Sequence, residues 1–442
     1  MSHHIIKIDL LIPSLLLLGA LLIYFTPLNF VLWFAYWAFM LVLFKKVEND
    51  IFSPLWIYFF YFFSYFAIRP GYYLLNEKEP FLFNIASAPD SVYAITLLFV
   101  SVSMFSFLVG YTIKFGSKKR IKKITYSSFF LNFIAISLQA IVMISAFYLI
   151  YHFGGVNNVL SLQSSLVQLI PLSEMHIKLA WIFVLISFLP LSLLLTRHGF
   201  SKSVFLVFAI NMVFCLIFGR RLAIISLIIP LGIYFHYYKK RITVNQGILY
   251  FFALLILLMS IVFIRIQSSS NQGMLIIEES AEFFIWDMVI VSISSFGDIV
   301  ESRRFLDFIP YWLRDIVGKD SFTNFKSLGE ALVAIHLPRF PAGIPPGLPG
   351  MFFLQFGFST LLIFCFILGI LARRIHMHFR QRLNDRLYML CVYSLVVTAF
   401  QYTLRAGDLW IATNSYWRLF FATFLVFYIC KNFRIKPIRG IK

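Results

Sequence analysis

The stretch VFCLIFGRRLAIISLII, residues 213–229, places Arg220 and Arg221 between two runs of almost purely apolar residues. An arginine at the centre of a membrane helix costs at least about 2.5–3.5 kcal/mol, so the pair needs an anionic partner or a water-filled cavity. The two runs together occupy residues 204–238, which is shorter than the roughly 40 residues that two full crossings and a turn require. The turn is therefore predicted to lie slightly below the membrane surface.

The composition of the whole chain places it in a membrane. Hydrophobic residues make up 60% of its 442 residues, charged residues only 13%, and phenylalanine occurs 54 times. A soluble core of this size does not need so much apolar surface. The four cysteines all fall inside apolar runs without metal-ligand spacing, so they indicate neither disulfides nor a zinc site. They are Cys215, Cys365, Cys391 and Cys430.

Apolar runs near the length of a membrane span recur along the chain. A bilayer core of about 30 Å takes about 20 helical residues to cross. The sequence predicts an all-α polytopic integral membrane protein with about 12 transmembrane helices, forming a single domain over residues 1–442. The predicted spans are centred near residues 18, 37, 61, 102, 139, 187, 211, 230, 256, 361, 395 and 424.

The loops alternate in charge, and this alternation predicts the orientation. Short loops rich in Lys and Arg stay in the cytoplasm, and here they are the basic segments at 45–46, 114–123, 197–202, 239–241, 372–382 and 431–442. Both termini are therefore predicted to be cytoplasmic. The net charge of +19 is spread over these loops, which favours contact with lipid headgroups and excludes the clustered basic face of a nucleic-acid-binding protein.

The opposite side of the membrane carries the longest connection, residues 266–349 between the ninth and tenth spans. Segments beyond about 12–15 residues are usually functional when they are not disordered. Part of this one has apolar residues at helical spacing, with acids on the opposite face. We predict a large outer-side insertion containing short helices.

Arginines recur on this outer side, where basic residues are normally sparse. Arginine grips phosphate through two parallel hydrogen bonds, so repeated arginines with few lysines among them favour a phosphorylated ligand at the membrane, such as the diphosphate of a polyprenyl-linked sugar. Besides the opening pair, these are Arg265, Arg303, Arg304, Arg314, Arg339 and Arg405. Paired snorkelling to headgroups is the alternative for Arg220 and Arg221.

Four segments in order carry a resemblance to a family. They are FGRRLAIISLIIPL, FLDFIPYWLRDIVGKD, AGIPPGLPGMFFLQFGFSTLLIFCFILGIL and TLRAGDLW. Together they resemble the bacterial oligosaccharide repeat unit polymerases, the Wzy-type O-antigen and capsule polymerases, over roughly residues 204–412. The chain departs from the family pattern in having Met351 where an acid often stands, which excludes a general base there. It also has Tyr311 in place of an arginine, with Arg314 three residues later.

The resemblance implies a polysaccharide polymerase in the bacterial inner membrane, with a GT-C-like fold and an active site that faces the periplasm. It would transfer the growing glycan from undecaprenyl diphosphate to the sugar hydroxyl of the next lipid-linked unit. Paired guanidiniums could neutralise the diphosphate leaving group, so neither metal nor another cofactor is expected. The implied partners are the undecaprenyl-diphosphate-linked oligosaccharide, membrane lipids and a chain-length regulator protein.

The expected catalytic residues are Arg221, Arg405 and Asp408. Arg221 aligns with the arginine that opens the corresponding span in the family. Asp408 follows Arg405 by three residues at an outer helix end, where it could act as the base for the acceptor or as a salt-bridge partner that orients Arg405. Expected substrate-binding residues are Arg220, Arg265, Arg314, Arg339, Glu330 and His336. His376 and His378 are expected to be solvated in a cytoplasmic loop.

Three other functions compete with this interpretation. An O-antigen ligase shares outer arginines but typically uses a histidine beside the spanning helices. A lipid-linked oligosaccharide flippase suits twelve spans, although internal two-fold repetition is absent. A metal-dependent glycosyltransferase would use an acidic pair in its first outer loop, where Glu77 and Glu79 lie.

Overall fold

The fold is taken from a computed structural model that describes residues 30–76, 90–113, 128–159, 187–218, 221–267, 347–383, 388–406 and 423–429. Within these ranges the regular structure is helical, and no strand occurs. The helices are α1 (Phe30–Val47), α2 (Pro54–Phe66), α3 (Ile68–Asn76), α4 (Asp90–Thr112), α5 (Ser128–His152), α6 (Phe188–His198), α7 (Lys202–Ile217), α8 (Arg221–Tyr234), α9 (Val244–Gln267), α10 (Gly347–Leu383) and α11 (Tyr388–Ala406), with a π-helical turn, Phe235–Lys239, after α8.

Three of these helices are long and apolar enough to cross a membrane. They are Phe30–Val47, Phe129–His152 and Gly357–Leu383. Three shorter apolar stretches accompany them, Leu97–Thr112, Lys202–Ile217 and Val244–Leu258. The protein is thus a helical membrane protein by the length and composition of its helices, while the count of twelve spans stays a prediction.

The outer face of α5 supports a membrane environment. Large apolar side chains recur along it at helical spacing, and Ile144 is 68% exposed. An uninterrupted stripe of this kind would be unfavourable in water, whereas hydrocarbon chains solvate it. The stripe contains Phe129, Phe133, Ile136, Ile144 and Phe147.

Helices α4 and α10 run parallel at unusually close range because glycines face each other's backbone. A Cβ atom on Gly110 would overlap the carbonyl oxygen of Phe366, and one on Gly369 would overlap that of Phe107. Small residues at such crossings replace the hydrophobic driving force that is missing inside a membrane. This packing fixes α10 against the first half of the bundle, where Tyr58, Trp56 and other aromatic side chains of α2 form the core.

Helix α10 reverses direction at Gly357, where φ is +76° and ψ is −175°. The rings of Phe352 and Phe364 stack with centroids 3.4 Å apart, although twelve residues of straight helix would separate them by about 18 Å. Residues 347–356, here called α10a, therefore fold back along Gly357–Leu383, here called α10b. The predicted span centred near residue 361 lies in α10b, and α10a folds back from it because glycine permits a positive φ that ends the first helix.

Candidate functional site

Most of the predicted site residues lie outside the part of the chain whose side chains are described. Arg221 begins α8 and Arg265 lies in the last part of α9, but their side chains are outside the described set. The insertion 266–349 is described only at its two ends. The residues that lie wholly outside the described ranges are Arg220, Arg314, Glu330, His336, Arg339 and Asp408.

Arg405 is placed, near the end of α11, and it lies close to the start of α10a. The charge of Arg405 acts on the Tyr61 hydroxyl, which comes from α2. A Cβ atom on Gly347 would overlap the hydroxyl oxygen of Tyr61 and would lie 3.3 Å from the carbonyl oxygen of Leu404. Three segments distant in sequence thus meet at one point, which we call the Arg405 site and define by Tyr61, Gly347 and Arg405.

The sequence GLPG explains why a helix begins at this point. Gly347 has a φ of +72°, a conformation that glycine adopts without steric cost. The first N–H groups of a helix have no partner within it, and proline has no N–H. Pro349 therefore leaves N–H groups on Gly347, Leu348 and Gly350 at the start of α10a. All four residues of this first turn are buried.

This helix start lies well inside the bundle. The hydroxyl of Tyr58, one helical turn before Tyr61, lies 3.4 Å from the sulfur of Cys365. Cys365 is eight residues into α10b, which places that level about 12 Å below the reversal at Gly357. The Arg405 site is thus formed within the apolar layer, where polar groups are rare and usually mark a functional site.

Arg69, on α3, is a buried arginine among the described residues. It is 0% exposed, and its guanidinium carbon lies 5.5 Å from the centre of the Tyr73 ring. Cation–π contacts of this kind partly replace lost hydration. Sequence reasoning missed Arg69, although an arginine within an apolar run was the signal that singled out Arg220 and Arg221.

A different group of charges occupies the connection between α1 and α2. Glu48 accepts a hydrogen bond from Arg373 over 2.7 Å, and Arg380 lies 3.7 Å away. The Tyr111 hydroxyl donates to the same carboxylate over 3.4 Å. Arg373 and Arg380 project from one face of α10b, because seven residues make about two helical turns.

Asp50 lies between two histidines and is 1% exposed. His236 of the π-helical turn is 3.3 Å from Asp50 Oδ1, and His376 of α10b is 3.6 Å from Asp50 Oδ2. The Tyr237 hydroxyl donates to Oδ2 as well. These residues form the buried ion cluster, made of Glu48, Asp50, His236, Tyr237, Arg373, His376 and Arg380.

The hydrogen bonds determine the proton positions of both rings. The backbone N–H of Ile242 donates to Nδ1 of His236 over 3.0 Å, so Nε2 of that ring carries the hydrogen that faces Asp50. The Tyr393 hydroxyl donates to the Phe52 carbonyl over 2.8 Å, so it accepts from Nδ1 of His376, 2.7 Å away. Nε2 of His376 makes no hydrogen bond within the described residues.

The pKa of the Asp50 carboxyl is set by opposing effects. Burial alone would raise it, but the hydrogen bond from His236, the facing His376 and the hydroxyl of Tyr237 all favour the carboxylate. The net result is a pKa well below the ordinary 3.8, so Asp50 is charged at neutral pH. Ion pairs of Glu48 and Asp50 with the arginines of α10b and hydrogen bonds hold the cluster together, and among the described side chains no group of three His, Cys, Asp or Glu residues could hold a metal ion.

Comparison of the chain with known protein families, with curated proteins and with solved structures finds no match in any of the three.

The buried ion cluster corrects one sequence interpretation and adds residues that sequence reasoning missed. His376 is not solvated in a loop: it is 0% exposed on a helix that continues to Leu383. His378 is exposed, as expected, and contacts Arg382. The missed signal was the spacing of Arg373, His376 and Arg380, which places three basic groups on one helical face.

Proposed function

We propose that the chain polymerises undecaprenyl-diphosphate-linked oligosaccharide repeat units at the outer face of the inner membrane. The observation that supports this is the contact between the start of α10a and the end of α11. These two places belong to the segments GIPPGLPG and TLRAGDLW, which carry the resemblance to the polymerases, and Gly347 lies directly against Leu404 and Tyr61.

The proposed reaction breaks the bond between the sugar's anomeric carbon and the diphosphate oxygen, and it forms a glycosidic bond to a hydroxyl of the next unit. The electron pair of the broken bond leaves with the diphosphate, and the hydroxyl proton passes to a base. Arg405 would stabilise the departing diphosphate, since fixed positive charge acts strongly where water is excluded. Asp408 is the base that we propose, because it follows Arg405 by three residues.

A lipid-linked oligosaccharide flippase is the second candidate, and two observations favour it. Helix α10 is discontinuous at Gly357, and broken helices form the substrate sites of many transporters. Asp50 is buried between His236 and His376, a combination that occurs in proton relays. A flippase moves its substrate without changing covalent bonds, so the two candidates differ in their products.

The test is a reaction with purified protein and a synthetic polyprenyl-diphosphate repeat unit, in vesicles that contain a chelator of divalent metals. A polymerase yields a ladder of products that differ by one repeat unit. Arg405→Ala should reduce the rate at least tenfold, by loss of a charge-assisted contact. Arg374→Ala removes an exposed charge on α10b and should leave the rate unchanged. Movement of unchanged substrate across the vesicle, without a ladder, would replace the polymerase by the flippase.

A further inference from the structure

We propose that an apolar groove between α1, α2, α3 and α9 binds one acyl chain of a bilayer phospholipid. The groove has a volume of about 460 Å³, within the roughly 300–1,000 Å³ of sites that hold small ligands. None of the residues that line it belongs to α10 or α11, so the proposal does not depend on the proposed function.

The walls of the groove are mostly aromatic, and none of the side chains that form them carries a charge. The indole N–H of Trp33 is donated to the carbonyl oxygen of Ala67 over 3.0 Å, so the Trp33 ring presents an apolar surface. A charged ligand would lose its hydration in such a groove without compensation. A hydrocarbon chain has no hydration to lose, so the chemistry of the walls favours a lipid chain.

The groove runs along α1 for about half the thickness of a membrane. The α1 residues that line it recur at helical spacing from Phe30 to Leu41, a separation of about 16–17 Å along the helix, against about 30 Å for the whole hydrocarbon core. Beyond Leu41 the same face of α1 is covered, because Phe44 is buried against Trp56 and Phe59. An acyl chain occupies one leaflet and fits this length, whereas a membrane-spanning helix of a partner would need the whole core.

The groove is bordered by exposed apolar side chains. Phe34, on its edge, is 66% exposed, and Leu75 of α3 and Phe252 of α9 are exposed as well. Helix α1 is long and apolar enough to cross a membrane, so these side chains meet lipid and not water. A phospholipid chain can therefore enter the groove sideways without leaving the bilayer.

The wall of the groove is already formed, because its rings pack against one another. Phe60 of α2 stacks on Phe251 of α9 with ring centroids 4.0 Å apart, and Trp37 makes edge contacts with Phe59 and Phe63. Apolar surfaces do not attract one another by the hydrophobic effect inside a membrane, so selective binding depends on van der Waals contact with a fixed surface. We expect the groove to retain a chain that the open face of α5 exchanges freely.

The experiment counts the phospholipids that stay on the protein. Purified full-length protein in detergent is loaded with palmitoyl-oleoyl phosphatidylglycerol, passed through lipid-free detergent and examined by native mass spectrometry. We expect one phospholipid per chain to remain. Phosphatidylethanolamine with the same chains should be retained equally, because the walls contact the chain and carry no charge.

Two pairs of variants on α1 locate the retained lipid. Ala38 and Ala35 are both exposed, and only Ala38 lines the groove, so Ala38→Phe should abolish retention and Ala35→Phe should leave it unchanged. Phe34→Ala removes a ring from the edge of the groove without adding volume, and it should weaken retention. Phe39→Ala removes an exposed ring outside the groove and should have no effect.

A phospholipid with dibrominated chains gives a second readout, because bromine quenches tryptophan fluorescence on contact. Trp33 and Trp37 line the groove. The retained lipid should therefore quench the fluorescence of the wild type and of Ala35→Phe, but not that of Ala38→Phe.

Several results would overturn the proposal. Retention of no phospholipid, or equal retention by both members of each pair of variants, would show that no lipid chain binds in the groove. A preference for one headgroup that Ala38→Phe leaves unchanged would place the lipid at a charged site elsewhere. A protein dimer without bound lipid, lost in Ala38→Phe, would make a second copy of the chain the occupant, and displacement of the phospholipid by polyprenyl phosphate would make the lipid carrier the occupant.

Discussion

The buried ion cluster and the Arg405 site lie in the same bundle but satisfy their charges differently. In the cluster, two carboxylates face two arginines and two histidines over distances of 2.7–4.0 Å. At the Arg405 site a guanidinium, a tyrosine hydroxyl and the start of a helix meet beside the carbonyl oxygen of Leu404. In the first region the carboxylates are paired within the described residues, although Nε2 of His376 makes no hydrogen bond there, and in the second region the Tyr61 hydroxyl makes none.

This difference separates a structural role from a binding role. A network whose members satisfy one another stabilises the arrangement of the helices that contribute to it, here α10b, the π-helical turn and the connection between α1 and α2. The Tyr61 hydroxyl makes no hydrogen bond within the described residues, so its loss should cost less stability than the loss of a hydrogen-bonded hydroxyl in the cluster. Substitutions in the two regions should therefore divide between stability and function.

The largest expected effect on stability comes from Asp50→Ala. Removing the buried carboxylate leaves the donors of His236 and Tyr237 without their acceptor and Arg380 without its partner, and these losses together cost about 3–5 kcal/mol. The free energy of unfolding, measured by denaturant titration in mixed micelles, should fall by this amount. Arg374→Ala, an exposed charge removal on the same helix as His376, should change it by no more than about 0.5 kcal/mol.

The pH dependence of unfolding, compared between the wild type and Asp50→Ala, tests whether the charge of Asp50 is the cause of the stability difference. Because the folded state lowers the pKa of Asp50 below 3.8, its contribution is fully present above that pH and is lost as the pH falls through the lower folded value. The difference in stability between wild type and Asp50→Ala should stay constant from pH 7 to about 4.5 and shrink below. Shrinkage already between pH 6 and 5 would mean that a histidine, and not Asp50, controls the cluster.

An intermediate effect is expected from Gly347→Ala at the Arg405 site. The positive φ costs a residue with a Cβ atom about 1–2 kcal/mol, and overlap with the Tyr61 hydroxyl adds about 1–3 kcal/mol. Gly155→Ala is the matched control, since Gly155 also has a positive φ but no atom within 4 Å of its Cβ position.

The control should show the backbone cost alone. Addition of Tyr61→Phe to Gly347→Ala removes the overlapping oxygen and should recover part of the lost stability. Equal losses in Gly155→Ala and Gly347→Ala, without recovery in the double variant, would place Tyr61 away from the start of α10a.

The smallest effect on the free energy of unfolding is expected from the removal of single tyrosine hydroxyls, one in each region. Tyr393→Phe removes a hydroxyl that bonds both His376 and the Phe52 carbonyl, and it should lower the free energy of unfolding by about 1–2 kcal/mol. Tyr61→Phe removes a hydroxyl that is unbonded within the described residues, and it should leave stability unchanged or slightly higher. A greater loss in Tyr61→Phe than in Tyr393→Phe would show that Tyr61 is a structural residue like Tyr393.

The sequence by itself determined that the chain is helical and lies in a membrane. The predicted centres at residues 37, 139 and 361 fall in Phe30–Val47, Phe129–His152 and Gly357–Leu383, the helices long enough to cross. It also identified Arg405 as a residue worth testing. Hydropathy suffices for this because the free energy of transferring each side chain into hydrocarbon depends on the residue and its near neighbours in the sequence.

Only the tertiary structure decided how α10 runs and which charges meet. The hydropathy of an apolar run is the same whether its helix is straight or folds back at Gly357, so hydropathy located the span near residue 361 but not the fold-back of α10a. Glu48 lies 325 residues from Arg373, and Tyr61 belongs to a different helix from Gly347 and Arg405. Residues this far apart in the sequence come into contact through the packing of whole helices, which local sequence patterns do not predict. Helix packing therefore buries His376 beside Asp50 and brings Arg405 to the start of α10a.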